Sequence, residues 1–419
     1  MKENLPNIIL IVCDTLGAKH MSLYGYERNT TPNLERLVEK EGFTVYENCY
    51  ATSYWTIPSH ASLFTGLYAS EHGEQIRKFF LPDHLITLPE VMKAIGYRTI
   101  GISCNNLIGM GTNFHRGFEK FIELEKWMVF GEKTRDFKRL RTFLENNHEK
   151  GSFTKVLNCL LWGFHERNPT TALKFLTNRI YRSIKSLYYA RFGVTRNATP
   201  YTLKAFRIGK ELIFNSRQPL FLFINVMQTH HRYNPPWETK GIWSEQKSPY
   251  QNHTQDPFQH YINPFKREVI DYFRNLYDEE VLFLDKNLVH FYKTVKDRLG
   301  NNSVFIITSD HGEHFGEDGH FSHILSLHDA VLKIPLLIKY PYATTHGRKN
   351  RLVQINDLFA TLSELTKSPL PYPGSSFSLL SSNKRREGRA EMINPDPHLW
   401  PLDPITARKI VADTLRIIR

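Results

Sequence analysis

Residues 7–15 read NIILIVCDT, an unbroken apolar run rich in β-branched residues that ends on a carboxylate. A strand that is apolar at every position, and not at alternate ones, is buried on both faces, as in a parallel sheet sandwiched by helices. Asp14 then stands at the carboxyl end of that strand, where such sheets bind their ligands.

The same grammar continues outward. TTPNLERLVEKEG (30–42) reads as a helix with Thr31 as cap, Pro32 in the first turn and Gly42 after the end. FTVYENCYA (43–51) is the next strand, and SHASLFTGL (59–67) a short helix opened by Pro58. LITLPEVMKAIGYRTIGIS (85–103) gives helix, Gly96 stop and strand. PLFLFINVM (219–227) is another buried strand, YDEEVLFLDKNLVHFYKTVKDRLG (277–300) an amphipathic helix, and NNSVFIITSDHGE (301–313) a turn and strand. KIPLLIKYP (333–341) closes the series, and LVQINDLFATLSELT (352–366) reads as a helix. Strands alternating with helices predict an α/β fold with a mostly parallel sheet covered on both faces. Asp14, the SDHGE acids and the MQTHH histidines should converge on one sheet edge.

Composition bounds the rest. A chain of 419 residues, 41% apolar and 13% aromatic, is globular, with one large domain and an appendage or two domains. Cys13, Cys49, Cys104 and Cys159 show no CxxC spacing, so neither a thiolate zinc site nor a disulfide framework is expected. The apolar run near the N-terminus is too short for a signal sequence or membrane span, and no window reaches eighteen apolar residues. The expectation is a soluble, cytoplasmic protein whose membrane contacts, if any, are peripheral.

The net charge of +12 is concentrated in one segment. Residues 131–217 hold 18 Lys and Arg against 6 Asp and Glu, a difference equal to the whole excess. That segment has helical periodicity and many aromatics, and reads as a basic helical cap inserted into a catalytic domain of residues 1–375. It either attracts an anionic polymer or membrane surface, or is a solvated cationic face. No nucleic-acid module is recognisable, the oligomeric state is open, and 376–419 reads as a short extension or partial subdomain.

The chemistry-bearing residues form a set. Asp310 and His311 follow an apolar strand and precede Gly312, and Asp14 ends another strand. With the hydroxyl of Thr56, from SYWTIPSHASLFTG (53–66), they offer three oxygens and one nitrogen. That set suits Zn²⁺ or Mn²⁺ better than Ca²⁺, which prefers all-oxygen shells. A hydroxyl on such a metal becomes a nucleophile near neutral pH, which would make Thr56 one. Taken singly, a strand-end Asp also caps helices, DHG also makes turns, and His230 and His231 also suit a surface loop.

Seven ordered blocks give the set a context: NIILIVCDTLGAKHMSLYGYERNTTPNLERL, WTIPSHASLFTG, GYRTIGIS, MQTHHRYNPP, SDHGEHFGEDGHFSH, LHDAVLKIPLLIKYP and INDLFATLSEL. Their order resembles the sulfatase family of the alkaline phosphatase superfamily over residues 7–375, the basic insert excepted. The resemblance implies an α/β/α sandwich with a metal site at the strand ends, and in-line attack on phosphorus or sulfur. It implies Asp14, Asp310 and His311 as metal ligands, Thr56 as nucleophile, and His230 toward the leaving or transferred group. His323 resembles the late histidine of phosphoethanolamine transferases, and Glu313 the acid of their DHGE motif. Further candidates for substrate contact are His60, Asn105, Asn106 and His231.

Some positions depart from the family pattern. Sulfatases oxidise Cys or Ser to formylglycine at the position of Thr56, whereas oxidising threonine would give a ketone, and His60 replaces an arginine. Ser103, Cys104, Asn105 and Asn106 replace a Gly-Lys-Trp-His run, Thr15 a second calcium-binding Asp, and His311 an Asn. These changes point to a phosphoester hydrolase or transferase working through Thr56 and one divalent metal, a second metal being open. The alternatives are a sulfate-ester hydrolase acting on sulfated carbohydrate, and a non-catalytic binder of polyanions or membranes.

Overall fold

A computed structural model describes residues 5–73, 80–124, 152–166, 168–174, 176–177, 180, 198–216, 219–245, 248–250, 253–255, 257–382, 385–392 and 415–419. The chain divides into two compact units, Met1–Leu124 with Asn197–Arg419, and Glu125–Arg196.

The first unit is built on a sheet whose strands are β1 (Asn7–Cys13), β2 (Thr44–Tyr50), β3 (Arg98–Ser103), β4 (Lys120–Glu123), β5 (Leu220–Val226), β6 (Ser303–Thr308), β9 (Lys333–Ile334), β10 (Leu336–Lys339) and β11 (Gly347–Gln354). Two-residue strands β7 (His314–Phe315) and β8 (Phe321–Ser322) form a separate hairpin. The order is β11-β2-β10-β6-β1-β5-β3-β4, with β9 on β2. β1 lies parallel between β5 and β6, and Val12 is level with both Asn225 and Thr308. The residues following these three strands therefore leave the sheet at one edge. β10 runs antiparallel to β6 and β2, and β9 antiparallel to β2, so the sheet is mixed but mainly parallel.

Both faces of β1 are core, as its unbroken apolarity requires. Ile8, Leu10 and Val12 pack with Ile57, Phe64, Leu358 and Phe359, from helices Thr56–Thr65 and Asp357–Leu365. Ile9, Ile11 and Cys13 pack on the other face with Leu34, Phe206, Phe273 and Phe291. Those come from helices Pro32–Glu41, Thr199–Phe214 and Arg267–Leu299. Each such side chain contributes about 1.5–3 kcal/mol on burial, so the two layers fix the sheet between them. The fold is the α/β/α sandwich expected.

Several boundaries differ from the sequence reading. The helix expected to open at Pro58 begins at Thr56 and ends at Gly66, whose φ of 75° closes it in the left-handed conformation. Residues 352–354 belong to β11, an edge strand whose exposed Arg and Lys make it look like loop, and the following helix starts at Asp357. The second unit stops at Arg196, not near 217. Helix Thr199–Phe214, read as part of the basic insertion, packs on the sheet, with Phe206 stacked on Phe291 at 5.1 Å. Residues 131–151 and 181–197 of the expected insertion lie outside the described residues. In the tail, β12 (Gly388–Glu391) pairs with β13 (Leu415–Ile418), and buried Arg385 pairs with buried Asp357. No helix among the described residues is long and apolar enough to cross a membrane.

Candidate active site

The turn after β1 is fastened to its neighbours by its own hydroxyls. Thr15 has φ 61°, a left-handed conformation costly for a β-branched residue. Its Oγ1 donates to the carbonyl of Thr229 (2.7 Å), Thr229 Oγ1 donates back to the carbonyl of Asp14 (2.7 Å), and Thr15 N donates to Asp310 Oδ1 (3.2 Å). The ends of β1, β5 and β6 are thus stitched together, and the Thr15 side chain is committed to that stitch. Asp14 Oδ2 accepts from Asn105 Nδ2 at 2.7 Å, while Asn105 Oδ1 accepts from Leu107 N at 2.9 Å.

Asp310 and His311 follow β6 and are fully buried. Asp310 Oδ1 also accepts from His311 N (2.9 Å), and His311 Nδ1 donates to the carbonyl of Gly312 (3.0 Å). That bond fixes the imidazole with its Nε2 lone pair pointing inward. Nε2 lies 3.5 Å from Asp310 Oδ2, 3.9 Å from Asp14 Oδ1 and 3.5 Å from Thr56 Oγ1. Gly312 is required at its position, because a Cβ there would stand 2.4 Å from the carbonyl oxygen of Ala330.

Thr56 is the first residue of its helix and almost wholly buried. The positive end of the helix dipole therefore faces its hydroxyl. One turn on, His60 Nδ1 donates to the carbonyl of Thr56 (2.9 Å), and its Nε2 accepts from Asn225 Nδ2 (3.1 Å). Burial drives His60 down to about 3, so it is neutral. Named from sequence as a possible substrate contact, His60 has both ring nitrogens engaged, with Nδ1 also 3.4 Å from Asp310 Oδ2, so the ring braces Thr56 from within the centre.

Next to this centre stand three half-buried imidazoles, His230, His231 and His323, each offering a ring nitrogen within 4.8 Å of the others. His323 also faces His311, ring centroids 4.5 Å apart, and so links the two groups. Its Nδ1 donates to Glu313 Oε1 (3.0 Å), and Glu313 Oε2 accepts from Tyr233 (2.8 Å). Glu313 is fully buried, and burial raises its pKa. It too was named from sequence as a possible substrate contact, and its carboxylate is engaged by His323 on one oxygen and by Tyr233 on the other. Asn106 is partly exposed beside Asn105 in the chain.

The structure therefore brings together Asp14, Thr56, Asp310 and His311, and sets His230, His231 and His323 beside them. Of the bracing residues, Thr229, Tyr233 and Asn225 were not singled out from sequence, and Thr15 was noted only as a departure from the family pattern. Asn225 alone left a signal, as a polar residue inside the apolar strand FLFINV.

The donor set fits a divalent cation. Asp14, Asp310 and His311 present ligand atoms within 4.8 Å of one another. Asp310 Oδ2 is buried and makes no hydrogen bond, and burial lifts the acid to about 7. Burial also lowers His311 to about 4, which keeps its lone pair free for a cation. A buried carboxylate oxygen of this kind is costly unless a positive charge meets it.

The chain is similar to known proteins in both sequence and fold. The family model described as Sulfatase matches residues 6–368. An N-acetylglucosamine-6-O-sulfatase of Bacteroides thetaiotaomicron is 23% identical over 398 residues, covering 85% of this chain and 66% of its own length. This chain thus spans just under two thirds of that relative. Among solved structures, the phosphonate monoester hydrolase of Agrobacterium radiobacter superposes with a TM-score of 0.66 at 15% identity, over 99% of this chain and 85% of its own. The C-terminal periplasmic domain of EcEptC from Escherichia coli, in complex with Zn, gives 0.55 at 19% identity over 94% and 91%.

Proposed function

Because the chain belongs to the sulfatase family, whose members are metal-dependent enzymes acting on sulfuric or phosphoric esters, we propose that it cleaves an anionic ester with Thr56 as nucleophile. The observation that carries this reading is the convergence of Asp14, Asp310 and His311 around the buried Thr56 hydroxyl. Asp14, Asp310, His311 and Thr56 Oγ1 would hold the cation, with Zn²⁺ or Mn²⁺ favoured over Ca²⁺ by the imidazole. When bound, it lowers the proton affinity of the hydroxyl and offsets charge on the ester oxygens.

The chain's own residues supply the rest. Thr56 Oγ1 bonds to the central sulfur or phosphorus as its proton passes to a neutral imidazole of the trio, the bond to the alcohol oxygen breaks, and the alcohol leaves with the electron pair and takes up that proton. His323, aimed by Glu313, and His230 face that departing oxygen and serve its proton. Water then cleaves the threonine ester and regenerates the hydroxyl. The half-buried trio leaves room for an anionic substrate to approach, while Asp14 and Asp310 are fully buried.

Sulfate esters are the substrate class best supported, because the family match and the sequence relative named above are sulfatases. That ordering replaces the phosphoester-first expectation, which rested on the departures from the family pattern at Thr56 and the residues around it. Thr56 itself favours the second reading, a phosphoester, since threonine cannot become formylglycine while its alkoxide suits phosphoryl transfer. Metal analysis with a panel of aryl sulfate, phosphate mono- and diester and phosphonate substrates tests both. A higher kcat/KM on the sulfate supports the first, and a higher one on a phosphate or phosphonate the second. Wild-type activity retained in Thr56→Ala would remove the nucleophile assignment from both.

A further inference from the structure

The second unit arranges its side chains as helices do in lipid. Helix Ser152–His165 buries Cys159, Trp162 and Gly163, and exposes Leu160, Leu161 and Phe164. In the helical residues 169–174 that follow, Ala172 is buried and Leu173 exposed, and Ile180 beyond them is exposed as well. Cys159, Trp162 and Ala172 form the seam. The two backbones approach so closely that a Cβ on Gly163 would stand 2.6 Å from the Ala172 Cβ. Cys159, Gly163 and Ala172 at the contact beside a single Trp162, with bulky apolar residues outside, follow the small-residue pattern of helix pairs in a bilayer. It reverses that of an amphipathic helix packed in water.

The exposure is large: 87% for Phe164, 65% for Leu173, 59% for Ile180 and 54% for Leu161. Soluble monomers seldom leave such residues clustered unless the patch binds something. Charge identifies the occupant. Residues 125–196 contain 15 Lys and Arg against 6 Asp and Glu, a net +9, and Lys174 is exposed beside Leu173. An apolar face within a cationic segment matches the headgroup–acyl boundary of an anionic bilayer. At 14 residues, the first helix is about 21 Å long, short of the roughly 30 Å hydrocarbon core. Its length suits lying in the interface.

We propose that this outward face, Leu160, Leu161, Phe164 and Leu173, docks the protein on an anionic lipid surface. The proposal is independent of which ester is cleaved. Co-sedimentation of the full chain with phosphatidylcholine vesicles, with and without phosphatidylglycerol, tests it. The wild-type protein should sediment with the anionic vesicles, much less with the neutral ones, and less again at high salt. The triple variant Leu160→Ser/Phe164→Ser/Leu173→Ser should bind anionic vesicles at least about tenfold more weakly, with an unchanged circular dichroism melt. Lys174→Glu, which keeps the apolar face, should weaken binding to a smaller degree. Undiminished binding by the triple variant, or no wild-type binding to anionic vesicles, overturns the proposal. So does a dimer in ultracentrifugation that the triple variant dissociates, since the face would then belong to a second copy.

Discussion

The Asp14–Asp310–His311 centre and the His230–His231–His323 trio adjoin each other but are built in opposite ways. In the first, backbone groups fix the charged side chains: two N–H groups on Asp310 Oδ1 and the Gly312 carbonyl on His311. Every member is fully buried. The trio stands half-buried, with His230 and His231 beyond β5 and His323 just after β8. The carboxylate of Glu313 aims its third member. The difference separates tasks. A rigid, dry centre suits a group that must lose a proton and hold charge, whereas a wetter set of imidazoles suits an alcohol that changes from substrate to substrate.

The largest effect should follow from breaking the rigid half. Asp310→Asn is expected to lower kcat/KM by about 10³-fold or more, and to lose metal, with the shape kept. The same change should stabilise the metal-free protein above pH 7. Burial raises the folded-state pKa of Asp310 to about 7 from its ordinary value of 3.8. The folded state therefore binds more protons than the unfolded state between those values, so stability is lost as pH rises through 7. Asn cannot ionise and escapes that loss, a gain of about 1–3 kcal/mol at pH 8. Melts of the metal-free proteins at pH 5 and pH 8 check it. A variant less stable than wild type at pH 8 would show that the carboxylate is an asset to the fold, contrary to the reading of the site.

The trio should respond less. His323→Ala is expected to cost about 10²-fold in kcat, with metal content at the buried centre retained. Glu313→Gln, which keeps the shape but weakens the hold on the ring, should cost about 10- to 100-fold. Its signature is a shifted pH–rate profile. If His323→Ala strips the metal as completely as Asp310→Asn, the two clusters form one unit and the comparison fails.

How much of this was legible in sequence differs between the halves in the same way. Asp14, Asp310 and His311 could be placed together because each follows an unambiguous apolar strand, whereas Thr56, in a helix expected to open only at Pro58, was picked out by its hydroxyl and by the resemblance. The roles of His60 and Glu313 could not be read, because sequence gives a residue's type and not the side from which its atoms are engaged. Asn225 and Tyr233, which engage them, are distant in the chain. At the level of the fold, β1 declared a two-sided core, whereas β11 hid behind the charges that protect an edge strand. Helix Thr199–Phe214 was assigned to the basic insertion because its apolar period is the same whether it packs on the sheet or elsewhere. Only its partner Phe291 distinguishes the two.

The smallest effect isolates burial from catalysis. His72 is fully buried in the same unit, with Nε2 donating to Thr65 Oγ1 at 3.0 Å, and belongs to neither cluster. Burial lowers its pKa from 6.5 to about 3. Between those values the unfolded chain binds a proton that the folded chain refuses. Its contribution is therefore present above pH 6.5 and is lost as pH falls toward 3, by up to about 1.4 kcal/mol per pH unit. His72→Gln should flatten the acid limb of the stability curve by about one proton's worth, measured as the pH dependence of the urea midpoint, with kcat/KM at pH 7 unchanged. An unaltered slope would mean that the acid sensitivity of the fold resides in other buried imidazoles, His60 and His311 at the rigid centre among them.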